Sequence, residues 1–449
     1  MIHPPSQLRL ITLSEWERRL VPSLTLTEED RRLVDAISQS DDCRLSIDEL
    51  VTGLLICARS WVGVVRFSSF KIQIVPKLAG GHLGLVELID FTSGLNCLVR
   101  HPAVRSFESA GSSLLDLIAL LFVESCEALV RGGLLADYRE VEDELPVLRG
   151  RLRVREQVLE RFGRIDRLAC RYDEQITNIQ ENQLLLAALT VCSRFVRHPA
   201  LSLRVRRMLN LLAEACSLDE VDLRAMRSEL VYNRLNEPYR EPHSLAWLLL
   251  DAMGIDDLFN MGSRRCFAFL LDMNRLFEDF VGRWLTRLLH GNSYRVLIQR
   301  RDRTILWNAD LGKPYTQVIP DIVVQAGDGQ SRFLPIDAKY KLYDDKKLAS
   351  SDIYQTFLYA FAYGSKVGSV LPTSLLLYPA SEKAGSTLRL HVRSSGVAGG
   401  ELVALGIHIP TALAEARSGQ PGEMGLRVQR RIQAVLEQAA EAHSQTAMT

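Results

Sequence analysis

The chain has 449 residues, and its 54 basic side chains balance its 54 acidic ones, so the formal net charge is zero. Hydrophobic residues make up 47% and charged residues 24%, which is typical of a folded globular protein and excludes a disordered chain. This length suffices for about two to four domains that each bury a core. No run approaches the roughly 18 consecutive apolar residues of a membrane helix, so we expect no membrane association.

Targeting and cysteine patterns favour a cytoplasmic protein. The N-terminal residues lack the basic and then apolar segments of a signal peptide. The eight cysteines stand singly, without a CxxC pair or a Cys/His spacing typical of zinc, which indicates a reducing compartment. Balanced charge leaves nucleic acid open as a partner. Arginines between residues 149 and 171 are a local candidate for phosphate contacts, and a solvated amphipathic surface is an equally good interpretation.

Periodicity predicts two regions in the first part of the chain. Residues 1–105 are predicted to form a β-rich N-terminal domain, with strands at 8–13, 53–58, 63–67 and 70–75 and a helix at 28–38 capped by Thr27. Residues 106–262 are predicted to be mainly helical, with an irregular stretch at 138–171. The predicted helices of this middle region are 113–131, 182–196, 201–216, 219–230 and 243–253.

Residues 263–415 are predicted to form a catalytic α/β domain, and residues 416–449 a helical C-terminal tail. The predicted elements are helices at 267–289, 352–364 and 426–443 and strands at 374–378, 388–392 and 401–408. Between them, apolar segments at 318–324 and 333–336 flank a Gly-rich loop at 327–331, which predicts a β-hairpin.

Acidic and basic side chains mark the ends of this hairpin. Asp321 begins its first strand, and Asp337 and Lys339 share one face of the second because strand side chains alternate. Two carboxylates can hold Mg²⁺ through oxygen ligands, and the lysine can orient a water and stabilise phosphate charge. This is the chemistry of a metal-dependent phosphodiesterase. Solvated charges on an exposed strand edge are the alternative, which the adjoining apolar strands disfavour because burying unpartnered acids is costly.

Flanking helices supply two further candidates. Glu278 lies beside the apolar stripe of the predicted helix 267–289, from which it can reach a metal. Gln355 and Tyr359 share a face of the predicted helix 352–364 at i, i+4 spacing. The order helix with Glu, strand with Asp, strand with Asp-x-Lys and helix with Gln resembles the PD-(D/E)xK nuclease motif.

The chain as a whole is similar to the McrC family, the nuclease subunits of 5-methylcytosine-specific restriction systems. The motifs that carry this resemblance are Phe277-Glu278, Pro320-Asp321, Asp337-Ala338-Lys339-Tyr340-Lys341 and Tyr354-Gln355, with upstream segments at 62–65, 72–77, 132–138, 148–152 and 170–182. It implies a multidomain α+β fold whose C-terminal α/β domain is restriction-endonuclease-like. It also implies a partner, an McrB-like AAA+ GTPase hexamer that binds the N-terminal and middle regions, and double-stranded DNA as substrate.

Roles for the site residues follow from this comparison. Asp321, Asp337 and the carbonyl of Ala338 are expected to bind Mg²⁺, with Glu278 as a direct or indirect acid. Lys339 is expected to position the hydrolytic water and Gln355 to orient water or phosphate. Two residues are secondary candidates. Lys341 either contacts a neighbouring DNA phosphate or is a plain exposed lysine, and Tyr340, like Tyr354, is expected to be a core aromatic.

Three functional hypotheses remain open at this point. The first is an endonuclease subunit that cuts DNA together with a motor protein. The chain has no GxxxxGK[ST] segment, so a partner would have to supply nucleotide hydrolysis. The second is a nuclease-like regulatory subunit that activates the motor without cutting, and the third is a freestanding nuclease. The complete trio of Asp321, Asp337 and Lys339 favours catalysis.

Overall fold

The computed structural model describes residues 8–38, 43–93, 114–160, 166–196, 198–219, 221–253, 266–291, 293–327, 332–344, 346–363, 371–383, 385–394 and 397–446. The chain divides into two compact units, Met1–Leu98 with Arg264–Thr449 and Val99–Ser263. The candidate site residues all lie in the first unit. Cys97 and the loop residues 328–331, both singled out in the sequence, lie outside the described residues.

The N-terminal part of the first unit is β-rich, as predicted. Its elements are β1 (Arg9–Ser14), β2 (Arg18–Pro22), α1 (Glu28–Ser38), β3 (Leu45–Leu50), β4 (Gly53–Ala58), β5 (Trp61–Arg66), β6 (Phe70–Val75) and α2 (Gly81–Ser93). Thr27 and Asp30 exchange hydrogen bonds between side chain and main chain at 2.9 and 3.2 Å, which caps α1 at the predicted residue. Strands β2, β4 and β3 form one sheet, and β1, β6 and β5 belong to another.

The second unit combines helices with a small sheet. Its elements are α3 (Leu114–Gly132), β7 (Asp137–Leu145), β8 (Arg151–Leu152), α4 (Val154–Leu159), β9 (Leu168–Ile176), α5 (Gln180–Phe195), α6 (Pro199–Ala215), α7 (Leu223–Glu229), a 3-10 turn (Glu237–Tyr239) and α8 (Arg240–Met253). The helices confirm the prediction. The stretch 138–171 was expected to be irregular, but its described residues supply strands of an antiparallel sheet in the order β7-β9-β8, together with the short helix α4.

Charge explains why this small sheet escaped prediction. Most side chains of β7 are exposed and charged, so neither strand shows a long apolar alternation. Its arginines form ion pairs across the sheet: Arg171 with Glu142 at 2.6 Å, and Arg153 with Glu142 at 3.0 Å. Because these guanidinium groups already have carboxylate partners, the structure favours a solvated surface over a dedicated phosphate site.

The C-terminal part of the first unit contains the largest sheet. Its elements are β10 (Phe267–Asp272), α9 (Met273–Leu288), β11 (Tyr294–Ile298), β12 (Asp302–Asn308), β13 (Lys313–Val318), β14 (Ile322–Ala326), β15 (Phe333–Ala338), α10 (Ser350–Tyr363), β16 (Thr373–Pro379), β17 (Thr387–Ser394), β18 (Val397–Ile407), α11 (Ile409–Ser418) and α12 (Glu423–Thr446). The six-stranded mixed sheet has the order β11-β14-β15-β16-β18-β17, with β15, β16 and β18 parallel.

The prediction of one helix over 267–289 is wrong for its first six residues. These residues form β10, which pairs antiparallel with β5, so that Phe267 lies opposite Arg66. A continuous apolar run suits a buried strand and a buried helix equally, and the pairing partner decides between them. The helix begins only at Met273, because the Asp272 carboxylate accepts the Asn274 N–H at 2.9 Å and acts as its N-cap.

Two findings bear on compartment and membrane. Among the helices in the described part of the chain, none combines the length and the apolarity that a bilayer crossing demands. The described cysteines are all free thiols.

A closed polar network fixes the core of the second unit. The buried Asn182 amide donates to the carbonyls of Leu135 and Thr177 at 3.0 and 2.7 Å. Its oxygen accepts the Tyr239 hydroxyl at 2.8 Å, and that hydroxyl also accepts the Leu135 N–H at 2.7 Å. Burial raises the pKa of Tyr239 to about 12, so it remains a hydrogen-bond donor at any physiological pH.

Replacing Asn182 with leucine should therefore destabilise the second unit. The change removes the donor of two half-buried carbonyls and the acceptor of the buried Tyr239 hydroxyl, which is expected to cost about 2–4 kcal/mol in unfolding free energy. Gln183→Leu on the same helix is the control, since Gln183 bonds only the Asn178 side chain near the surface. Denaturant unfolding of the full chain measures both variants, and equal destabilisation by the two would contradict a special role for Asn182.

Candidate active site

The hairpin of β14 and β15 forms the centre of the site. Ile322 lies opposite Ile336 in an antiparallel register, which places Asp321 opposite Asp337 at the next position. Directly opposed side chains share one face of a sheet, with Cβ atoms roughly 4.5–5.5 Å apart. The Asp321 carboxylate also accepts the main-chain N–H of Ala338 at 2.9 Å. The predicted hairpin is thus confirmed, and it brings the two aspartates together.

Lys339 follows directly after the end of β15 and is held by its neighbours. Its main-chain N–H donates to the carbonyl of Leu377 in β16 at 2.9 Å. Its ammonium lies 3.1 Å from Oδ1 of Asp337 and retains about a fifth of its exposure to solvent. The lysine therefore sits at the rim of a pocket whose floor is the Asp337 carboxylate.

Asp337 is almost completely removed from solvent, with 1% of the residue exposed. Neither of its carboxylate oxygens has a hydrogen bond of good geometry to the described residues, so its contact is the ion pair with Lys339. Burial raises the pKa of Asp337 far above its usual value; the Lys339 charge opposes this shift and the Asp321 charge adds to it.

Glu278 reaches the same pocket from α9. The helix buries Phe277, Phe280 and Trp284 on one side, and Glu278 lies half-buried at the edge of that side. Burial raises the pKa of Glu278 to about 7, with repulsion from Asp321 as the next cause. Burial lowers the pKa of Lys339, but the charges of these acids outweigh it and leave that pKa raised. The lysine therefore stays protonated.

Helix α10 contributes Gln355 and Tyr359, the pair predicted from i, i+4 spacing. The Gln355 amide donates to the Tyr359 hydroxyl at 2.8 Å. That hydroxyl in turn donates to the carbonyl of Ile319 at 3.4 Å, two residues before Asp321. Asp321, Asp337 and Lys339 all act electrostatically on the pKa of Tyr359, which places Gln355 beside the pocket.

The oxygen-rich pocket fits a hard divalent cation. Its carboxylates repel one another, and the buried Asp337 oxygens lack the hydrogen bonds that would otherwise stabilise their charge. Among the described residues, no group of three or more His, Cys, Asp or Glu could hold a metal ion. The fit is consequently to an ion bound by two carboxylates and otherwise by water or substrate, which is the usual preference of Mg²⁺. Asp321, Asp337, Glu278 and the Ala338 carbonyl all stay predictions as metal ligands.

Asp352 is a residue that the sequence analysis missed. It is buried in the first turn of α10, and its oxygens lie 2.7 and 3.0 Å from the Lys341 ammonium. The Tyr343 hydroxyl donates to the same carboxylate. Lys341 is thus ion-paired with a protein carboxylate while 43% of its side chain stays exposed, and a contact with a DNA phosphate stays a prediction. The sequence signal for this ion pair was an acidic residue at the start of a helix, a short distance after a lysine that follows the site strand.

The two tyrosines expected in the core differ. Tyr340 is buried, contacts the rings of Trp16 and Phe277, and donates to Glu15 at 3.0 Å. Burial raises the pKa of Glu15 to about 7. Tyr354 is 72% exposed, so that expectation is wrong. The buried residues of α10 follow Asp352 at intervals of about one helical turn. Tyr354 comes two residues after Asp352 and therefore lies on the opposite side of the helix.

These observations describe an α/β protein in which a mixed sheet presents a paired-aspartate and lysine pocket between two helices. A family model described as McrBC 5-methylcytosine restriction system component matches residues 56–379 and so spans every candidate site residue. That match covers most of the chain, and the chain belongs to this family. The family expected from the motifs is confirmed.

The chain is similar to solved structures, and the first of the following two shows a shared fold. A structure described as a half-complex from a tetradecameric assembly of Thermococcus gammatolerans McrB AAA+ hexamers with bound McrC matches with a TM-score of 0.58 and 17% identity, over 91% of this chain and 99% of its own. The cryo-EM structure of the Thermococcus gammatolerans McrBC complex matches with a TM-score of 0.46 and 21% identity, over 62% and 88%. A search of curated proteins found no match.

The raised pKa of Asp337 predicts how pH affects stability. A carboxyl that holds its proton more tightly when folded than when unfolded loses stability as pH rises from about 4 through the folded pKa. In metal-free buffer, Asp337→Asn should therefore raise the Tm at about pH 8 by roughly 2–6 °C and leave it nearly unchanged at low pH.

Mg²⁺ provides the second arm of that measurement. At about pH 8, Mg²⁺ should raise the Tm of the parent protein and not that of Asp337→Asn, because binding depends on the ionised carboxylate. Asp48→Asn, at an exposed strand position, is the matched control and should behave like the parent. If the Tm of the parent protein changed with neither pH nor Mg²⁺, Asp337 would not be a buried, metal-binding acid.

Proposed function

We propose that the chain is the Mg²⁺-dependent DNA endonuclease subunit of a modification-dependent (5-methylcytosine) restriction system. In this proposal its C-terminal α/β domain is a PD-(D/E)xK nuclease that acts with an AAA+ GTPase motor and stimulates its hydrolysis. The main support is the buried Asp337, opposite Asp321 and ion-paired with Lys339, in a member of a restriction-system family. A purely structural domain has no need of a buried acid that forms no hydrogen bond with the described residues.

The metal would be held by Asp321 and Asp337, with the Ala338 carbonyl as a further oxygen donor, and Glu278 would act as an acid beside the ion because the described residues offer no group of three acids that could share it. When bound, Mg²⁺ supplies positive charge that polarises a phosphate oxygen and lowers the pKa of water. Every ligand offered is an oxygen, which disfavours zinc or copper as the resident ion. Burial and then repulsion from Asp321 raise the pKa of Glu278, and the charge of a divalent cation would offset that repulsion.

Side chains around the pocket would carry the remaining work. Lys339 keeps its proton, so it donates hydrogen bonds to the attacking water and to a phosphate oxygen and does not act as the base. Glu278, whose pKa is about 7, is suited to accept a proton from that water near neutral pH. Gln355, held by Tyr359, is positioned to orient the water or a phosphate oxygen.

A motor partner accounts for the functions that this chain lacks. The sequence contains no GxxxxGK[ST] segment, and the structure matched over 91% of the chain is of McrB AAA+ hexamers with bound McrC. An McrB-like AAA+ GTPase hexamer would supply recognition of modified DNA and the energy of translocation. The alternatives are a regulatory subunit that activates the motor without cutting, and a freestanding nuclease.

Substitution of the site separates these alternatives. In a mixture with the AAA+ partner, Asp337→Ala and Lys339→Ala should each lower the rate of DNA cleavage at least roughly 100-fold, because the phosphate charge is no longer stabilised. Stimulation of GTP hydrolysis should remain. Lys383→Ala, an exposed lysine of the same unit, is the control and should retain cleavage.

The outcomes are distinct. Undiminished cleavage by Asp337→Ala would show that the site is misassigned. Absence of cleavage by the parent, with GTP hydrolysis still stimulated, would favour the regulatory subunit, and cleavage without any partner would favour the freestanding nuclease.

The Lys341–Asp352 ion pair generates a further prediction. Because Asp352 precedes Gln355 by one helical turn, the pair is expected to position α10, so Lys341→Met and Asp352→Asn should each lower kcat roughly tenfold. The double variant should be no slower than either single one, since both remove one interaction. A rise in KM for DNA on Lys341→Met alone would instead indicate a direct phosphate contact.

A further inference from the structure

A two-stranded ribbon stands apart from every larger sheet. Strands β12 and β13 pair with each other, Asp302 opposite Val318 and Asn308 opposite Lys313, and with no third strand in the described part of the chain. The ribbon, defined here as residues 299–319, connects β11 to β14. Proteins normally shorten or cover strands whose edges are unpaired. An uncovered ribbon at this place therefore indicates a binding partner.

The ribbon is rooted at the candidate site. At its base, the Gln299 N–H donates to the carbonyl of Asp321 at 2.8 Å. Gln299 has a φ of 48°, a left-handed conformation that turns the chain out of β11. The Tyr359 hydroxyl donates to Ile319 on the returning strand. The ribbon therefore begins and ends next to Asp321.

Large apolar side chains on the ribbon face solvent. Trp307 is 55% exposed, Leu311 64% and Tyr315 75%. Single exposed apolar residues are ordinary, but three within nine residues of one hairpin form a cluster that marks an interaction surface. The six-stranded sheet does not need them for its core.

The ribbon is also basic, although the chain is neutral. Residues 299–319 contain four basic side chains and two acidic ones, a net charge of four minus two, or +2, against zero for the whole chain. Arg300 is engaged, with its guanidinium 5.0 Å from the centre of the Phe333 ring. Arg301, Arg303 and Lys313 are exposed and form no ion pair with any residue that the structure describes.

We propose that the ribbon binds duplex DNA beside the scissile phosphate. Arg301, Arg303 and Lys313 contact backbone phosphates, and Trp307 and Tyr315 pack into a groove. The major groove of B-DNA admits a two-stranded ribbon, and free guanidinium groups beside it are the usual phosphate contacts. This inference rests on the proposed function, since it names how the same site receives its substrate. DNA is favoured over a protein partner because exposed basic side chains without an acidic partner among the described residues complement backbone phosphates.

Binding can be measured without cleavage in the full-length Asp337→Asn protein, alone and in complex with the AAA+ partner. The probe is a fluorescein-labelled linear DNA duplex, and the readout is fluorescence anisotropy over a range of salt concentrations. The ribbon variants are R301E/R303E and W307A/Y315A. The control is R9E/R430E, which reverses two exposed arginines elsewhere in the same unit. Thermal unfolding confirms that each variant is folded.

R301E/R303E should weaken duplex binding at least roughly tenfold and reduce the slope of log K against log salt by about two, one for each phosphate that is no longer neutralised. W307A/Y315A should weaken binding with little change in that slope. The control should bind like its parent. Stimulation of GTP hydrolysis should be the same for all variants.

Three outcomes overturn the inference. Ribbon variants that bind DNA like the control would remove the ribbon from the DNA interface, while the proposed nuclease would stand. Loss of GTPase stimulation with DNA binding intact would make the ribbon a contact for the partner protein. A parent that binds no duplex in either state would overturn the ribbon inference and the proposed function together.

Discussion

The pairing of β14 with β15 is the constraint on which the rest of this site depends. It places Asp321 opposite Asp337 and lets the Ala338 N–H bind the Asp321 carboxylate, so the two acids have one relative position. A shift of one residue in this register would move Asp337 and Lys339 to the other face of the sheet. Apolar side chains on both strands oppose that shift, because they are packed on both faces of the sheet and each would have to repack on the opposite side.

Burial of charge beside that pairing gives the site its chemical character. Asp337 is buried away from water, and among the residues that the structure describes the ammonium of Lys339 is the group that pairs with its carboxylate. A structure tolerates such a group when the surrounding sheet is stable enough to hold it, and when function benefits from the raised affinity for cations. The neighbouring Glu278 shares the same environment and the same upward shift in pKa.

Two outer contacts tie this pocket to the rest of its unit. Asp352 binds Lys341, two residues after Lys339, and so connects the start of α10 to the pocket. Glu15 accepts a hydrogen bond from Tyr340, the residue after Lys339, and so connects the N-terminal sheet to the pocket. Strand β10, paired with β5, continues directly into α9 and so links that sheet to Glu278. The N-terminal sheet is therefore a support for the site residues as well as a fold of its own.

Local sequence was sufficient for the hairpin, the face shared by Asp337 and Lys339, and the Gln355–Tyr359 pair, because strand and helix periods alone place those side chains.

Local sequence was insufficient wherever contacts with a distant segment decided between conformations of similar local energy. The apolar run 267–272 is a strand because it pairs with β5. Lys341 pairs with Asp352, which lies on the other side of a loop. The charged strands at 137–145 and 168–176 pair along their whole length and place opposite charges across from one another. The exposure of Tyr354 followed from which side of α10 is buried. Such choices depend on contacts between residues far apart in the chain, which periodicity does not encode.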